Sequence, residues 1–190
     1  MKKKLSFNAK AKVSMFAGVG MLAVSAFAHA DTTTSSTGTI EFNGSVVDTA
    51  CAIDADSIDQ TVALGEVRSA SIATAGAAST HVPFSIQLDD CDSTEATTAS
   101  FAFTGQTAGS DDTVLENLYS GSDGATGVGV QLVDASGATV PVDGSTSSTS
   151  ALTVQDGTNI ANFDAYMIAT ADGATAGSVH STVTFQVTYQ

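Results

Sequence analysis

Residues 181–190 read STVTFQVTYQ, and their alternation constrains the fold more than any other stretch. Val183, Phe185, Val187 and Tyr189 share one face of an extended segment, while Thr182, Thr184, Gln186 and Thr188 share the other. A period of two marks a strand with one face on a core and one in water. The pattern runs to the penultimate residue, so no later segment is expected to cover the strand's outer edge. An open edge presents unpaired N–H and C=O groups and invites another chain.

Other short runs are period-two or continuously apolar: 60–64 (QTVAL), 82–88 (VPFSIQL), 100–103 (SFAF), 128–133 (VGVQLV), 139–142 (TVPV) and 162–168 (NFDAYMI). Turn clusters at 120–124 (SGSDG), 134–137 (DASG) and 143–145 (DGS) separate several of them. No stretch sustains a helical apolar spacing. Short strands at this spacing predict an all-β sandwich with one core over residues 45–190.

The first thirty residues read as a signal peptide. MKKKLSFNAKAK is basic, residues 13–24 are apolar, and Ala28 and Ala30 supply the small residues of a cleavage site. The apolar stretch is too short and too rich in Gly and Ala for a membrane span of about 20 residues. No later segment suits stable membrane insertion. The mature chain is expected to start at Asp31 and to be soluble after export.

Lys2, Lys3, Lys4, Lys10 and Lys12 all lie within that leader. Beyond it Arg68 is the sole Lys or Arg, against twenty Asp and Glu, giving a net charge of −19. Nucleic acid is excluded as a partner, because its affinity comes from cations that neutralise phosphates. Anionic membrane surfaces are poor partners for the same reason. Lysine chemistry, from Schiff bases to isopeptide crosslinks, is unavailable to the mature chain.

Export gives the two cysteines a meaning. An isolated pair in an oxidising compartment reads as a disulfide, Cys51–Cys91. The rival metal or nucleophile readings have no CxxC and no neighbouring His to support them. The mature histidines, His81 and His180, lie in no catalytic motif. Asp54, Asp56 and Asp59 suggest a calcium loop, but its fifth, sixth and twelfth places hold Ile58, Asp59 and Gly65, which breaks the pattern. No catalytic, cofactor-binding or metal-binding residue is assigned.

Residues 31–37 (DTTTSST) contain nothing that could form a core. The segment that follows has strand register: Gly38, Ile40, Phe42, Gly44 and Val46 share one face, and Thr39, Glu41 and Asn43 the other. The front of the chain thus carries a strand without an evident partner, and its end an edge without cover.

The chain resembles a major pilin of the chaperone–usher class, the type 1 fimbrial subunits. The resemblance covers essentially the whole mature sequence. It rests on FNGSVV at 42–47, CAID at 51–54, DQTVALGEV at 59–67, FSIQLDDCD at 84–92, GVGVQL at 127–132 and FDAY at 163–166, closing with Gly177 and a penultimate Tyr189. It implies an immunoglobulin-like sandwich lacking its final strand, with a donor-strand arm at 31–44 ahead of the pilin domain at 45–190. The resemblance also implies roles. Gly38, Ile40, Phe42 and Gly44 would be the donor strand. Gly177, Val183, Phe185, Val187 and Tyr189 would form the groove edge that binds first a periplasmic chaperone and then the arm of the next subunit, handed over by an outer-membrane usher. The product would be a head-to-tail polymer on the cell surface, a fimbria for adhesion and surface attachment. Thr32, Thr34 and Ser36 depart from the pattern by being polar where a larger apolar side chain is expected. Two rival functions remain: a polymeric adhesin whose own surface binds a host receptor, and an exported enzyme on an unrelated sandwich.

Overall fold

The computed structural model describes residues 37–145 and 151–190. The proposed signal segment with Ala28 and Ala30, and Thr32, Thr34 and Ser36, lie outside them. The chain divides after Gly44. Residues 37–44 have no regular secondary structure and are exposed. All the strands among the described residues lie in the unit Ser45–Gln190.

The described residues of that unit form nine strands: β1 (Ala52–Ile53), β2 (Val82–Cys91), β3 (Thr98–Gly105), β4 (Thr107–Ala108), β5 (Asp111–Glu116), β6 (Val128–Asp134), β7 (Leu152–Thr153), β8 (Gly157–Ala169) and β9 (Val183–Tyr189). One sheet has the order β1-β2-β8-β6-β5-β4 and the other β7-β3-β9, with every strand pair antiparallel. The two sheets share one core, giving an all-β, immunoglobulin-like sandwich. Ile86 and Leu88 of β2, Ala161, Phe163 and Ala165 of β8, and Val130 and Leu132 of β6 meet Ala99, Phe101 and Phe103 of β3. Phe163 stitches the sheets together. Its ring lies 5.5 Å from Phe84 in its own sheet, and takes Phe101 and Phe103 of the opposite sheet edge-on at 5.5 and 5.1 Å.

A bulge sets the disulfide. The inward positions of β2 run 84, 86, 88, so strict alternation would turn Asp90 into the core. Instead the register shifts between Leu88 and Cys91, and Asp90 adopts a left-handed backbone with φ 51°. Asp90 stays in water and Cys91 turns inward to bond with Cys51. Closing this forty-residue separation stabilises the fold by about 4 kcal/mol in the chain-entropy account.

Two expected strands form differently. Residues 139–142 cross from one sheet to the other, so they leave only isolated bridges, Val133↔Thr139 and Thr104↔Asp143. Val140 and Val142 are buried during the crossing. Residues 60–64 have strand-like side-chain alternation but no strand, because their backbone has no ladder partner among the described residues. Two short helical turns, α1 (Ala55–Ile58) and a 3₁₀ turn at Ser69–Ser71, flank that segment.

Candidate functional site

The segment without a partner forms one wall of a cleft of about 1040 Å³. Its start is anchored to β2 by side chains. Gln60 donates through Nε2 to the carbonyls of Ser57 and Ser85 at 3.3 and 2.8 Å, and Ser57 Oγ accepts from the Gln87 N–H at 3.0 Å. Beyond that anchor, Val62, Leu64 and Val67 turn toward the core, while among the described residues no backbone hydrogen bond joins 60–67 to either sheet.

The opposite wall is the chain from 175 into β9, including Gly177, Val179, Val183 and Phe185. β9 pairs with β3 along its whole length and is the outermost strand of its sheet, so its other edge faces no strand among the described residues. The floor between the walls belongs to the core: Ile86, Phe103, Leu115 and Leu132 line the cleft and are 1–3% exposed. Val183, Phe185, Val187 and Tyr189 pack on that core but stay half-buried, and Thr184, Gln186 and Thr188 face outward. The cleft thus runs between the unpaired 60–67 segment and the outer edge of β9.

The sequence-derived residues fall as follows. Gly177, Val183 and Phe185 line the cleft. Val187 and Tyr189 line a smaller cavity of about 580 Å³ beside Asp48, Thr49, Ala50 and Glu95. The Tyr189 hydroxyl reaches the Cys51 carbonyl at 3.5 Å, and burial raises its ionisation above the ordinary 10.0. Gly177 precedes β9 rather than belonging to it. A Cβ there would stand 2.4 Å from the Ala125 nitrogen and 2.5 Å from the Asp123 oxygen. Glycine is needed at that point for a close backbone approach. On the unit that ends at Gly44, Ile40 is 77% and Phe42 90% exposed, and a Cβ on Gly38 or Gly44 would meet nothing.

Asn117 escaped notice in the sequence, where it is one Asn in a polar turn. Its side chain ties the loop after β5 to the chain entering β9. Nδ2 donates to the carbonyls of Ala125 and Ser178 at 2.9 and 3.0 Å, and Oδ1 accepts from the N–H groups of Tyr119 and His180 at 3.1 and 2.9 Å. Together with the close approach at Gly177 it holds the entry to β9 in place. Of the titratable residues, Asp59, Glu66 and His180 line the cleft. His81 stacks flat on Tyr166 with ring centres 4.2 Å apart, and the Tyr166 hydroxyl donates to Gln131 at 2.5 Å. Among the described residues, no three His, Cys, Asp or Glu are grouped to hold a metal. No described helix is long and apolar enough to cross a membrane.

Comparison with known proteins gives this geometry a context. The family model described as Fimbrial protein matches residues 40–190. The chain is 50% identical over 167 residues to a fimbrial subunit type 1 of Klebsiella pneumoniae, covering 87% of this chain and 91% of that one. It is 47% identical over 164 residues to the type-1 fimbrial protein A chain of Escherichia coli K12, covering 86% and 89%. Among solved structures, it is similar to a chain from a chaperone–usher pilus studied for rod uncoiling, with a TM-score of 0.70, 27% identity, and coverage of 85% of this chain and 100% of that one. It is likewise similar to the P pilus rod subunit PapA, with a TM-score of 0.64, 27% identity, and coverage of 75% and 100%.

Proposed function

The chain belongs to the fimbrial protein family, and from that premise we propose that it is a structural shaft subunit that polymerises by lending its 31–44 arm to the cleft of a neighbour. The observation that carries this reading is the cleft itself: a floor of core residues between two walls whose backbone edges face no strand among the described residues. A strand laid between 60–67 and β9 would find apolar pockets beneath it and hydrogen-bonding groups on both sides.

The arm has the matching chemistry. Ile40 and Phe42 are large, apolar and exposed, and each gains roughly 1.5–3 kcal/mol on burial. Gly38 and Gly44 share their face and suit shallow stretches of the cleft. Each backbone hydrogen bond adds about 0.5–1.5 kcal/mol net. Charge opposes association, at −19 per mature subunit. Salt screens that repulsion beyond about 8 Å, so short-range apolar and backbone pairing dominates. Arm and cleft are different surfaces, so the contact is head-to-tail and extends into an open filament.

On this reading the subunit crosses the periplasm with its cleft covered by a chaperone strand. An outer-membrane usher then exchanges that strand for the arm of the next subunit, and the filament serves attachment at the cell surface. The role is mechanical and asks for no catalytic group. Deleting residues 32–43 tests it. The truncated subunit is expected to bind chaperone and fail to extend a polymer; filaments of normal length from that variant would refute the reading.

A further inference from the structure

Arg68 is the only Lys or Arg between residue 31 and the C-terminus, and it sits between Val67 and Ser69, both of which line the cleft. Its side chain is exposed, its backbone is extended (φ −73°, ψ 130°), and it leads directly into the 3₁₀ turn Ser69–Ser71. One hydrogen bond holds its carbonyl, from the Ser71 N–H at 2.8 Å. Trypsin-type proteases cut after Lys or Arg and grip the preceding residues as an extended strand, through backbone N–H and C=O groups. Residues 60–67 offer those groups with no sheet partner among the described residues. A donor strand in the cleft would use the same wall. Protease and donor strand therefore compete for one edge.

We propose that Arg68–Ser69 is the single trypsin-class cleavage site of the exported chain, and that filling of the cleft closes it. The step is hydrolysis: water adds across the Arg68–Ser69 peptide bond, leaving a carboxylate on Arg68 and an amine on Ser69. The position of the cut gives it a second consequence. Cys51 lies before it and Cys91 after it, and the two are bonded. Cleavage therefore leaves the disulfide as the only covalent link between the arm and the body of the domain. Subunits with an empty cleft are cut. Subunits inside a filament are spared, and a nicked one keeps its arm for as long as its disulfide stays oxidised. The closing of the site rests on the donor-strand reading above; the position of the cut and the linkage through the disulfide do not.

The experiment treats exported subunit with trypsin in three states: alone, with a synthetic peptide of residues 31–45, and as assembled filament. The peptide contains no Lys or Arg and cannot itself be cut. Mass spectrometry reads the products before and after reduction, and native mass spectrometry reads peptide binding. The subunit alone is expected to be cut at Arg68, with pieces 31–68 and 69–190 separating only on reduction. Peptide and filament are each expected to slow the cut at least about tenfold, because cleavage of a paired segment waits on its opening. Arg68→Gln is expected to resist in every state. Bound peptide with an unchanged cutting rate would overturn the closing of the site and leave the donor-strand reading intact. Failure of the peptide to bind would overturn that reading and the closing with it. An uncut free subunit, or pieces that separate without reduction, would overturn the site itself.

Discussion

At Gly177 a single hydrogen atom decides whether the entry to β9 can pack. Ser178 and Asp123–Ala125 run side by side, with the Ser178 N–H bonded to Asp123 O at 2.8 Å and the Ala125 N–H to Ser178 O at 3.0 Å. A methyl group at 177 would fall within 2.5 Å of backbone atoms, which cannot swing aside as a side-chain tip can. Gly177→Ala is therefore expected to destabilise the isolated subunit by about 1–3 kcal/mol, read as a lower urea midpoint; an unchanged midpoint would show that the loop gives way. The glycine was visible in the sequence, but the reason for it was not. Its φ is unremarkable, and the constraint comes from a loop more than fifty residues away. Asn117 was hidden for the same reason, since its four bonds join segments that only the fold brings together.

Among the elements, the strands with clear alternation were the legible ones. β9 begins and ends where its apolar period begins and ends, and the apolar runs in β2, β6 and β8 mark the strands that carry the core. The very short strands β1, β4 and β7 left no signal, because two residues cannot show a period. The 139–142 run was misleading in a useful way: β-branched and buried, it changes sheets and so cannot stay in one ladder. The 60–64 run has a strand's side-chain pattern and lacks the partner that would make it one. Pattern fixes which way side chains point, while a strand also needs a neighbour, and the proposed donor strand would supply it. Residues 38–44 are the converse case, with strand register and an exposed, irregular backbone. Phe42 is 90% exposed in the subunit, so Phe42→Ala is expected to leave the subunit's urea midpoint unchanged. If the arm fills a neighbour's cleft, the same change removes about 2 kcal/mol of burial from each joint. Subunits are then lost from filaments in dilute denaturant roughly 30-fold faster. Equal loss rates for the two proteins would place Phe42 outside the joint.

For the molecule as a whole, stability is expected to fall toward both ends of the pH scale. Asp92, Asp143 and Asp156 accept hydrogen bonds from the hydroxyls and backbone N–H groups of Thr94, Ser145 and Ser93, which hold their carboxyls below the ordinary 3.8. The stability they contribute is present above 3.8 and is lost as pH falls through their depressed values. Tyr166 and Tyr189 are pushed above 10.0 by burial. Their contribution is present below 10.0 and is lost as pH rises through the raised values. Asp156→Asn is expected to give a shallower acid limb in a urea-midpoint profile, and Tyr166→Phe a shallower alkaline limb; limbs identical to the parent's would remove those assignments. Between the limits the subunit carries its large negative charge, and in the proposed assembly another copy fills its cleft. Amide hydrogen exchange over residues 60–67 tests this most directly, because those N–H groups have no sheet partner in the described subunit and would gain one in the filament. Rapid exchange is expected there in the isolated subunit, and strong protection in assembled filaments. Equal exchange in both states would contradict it.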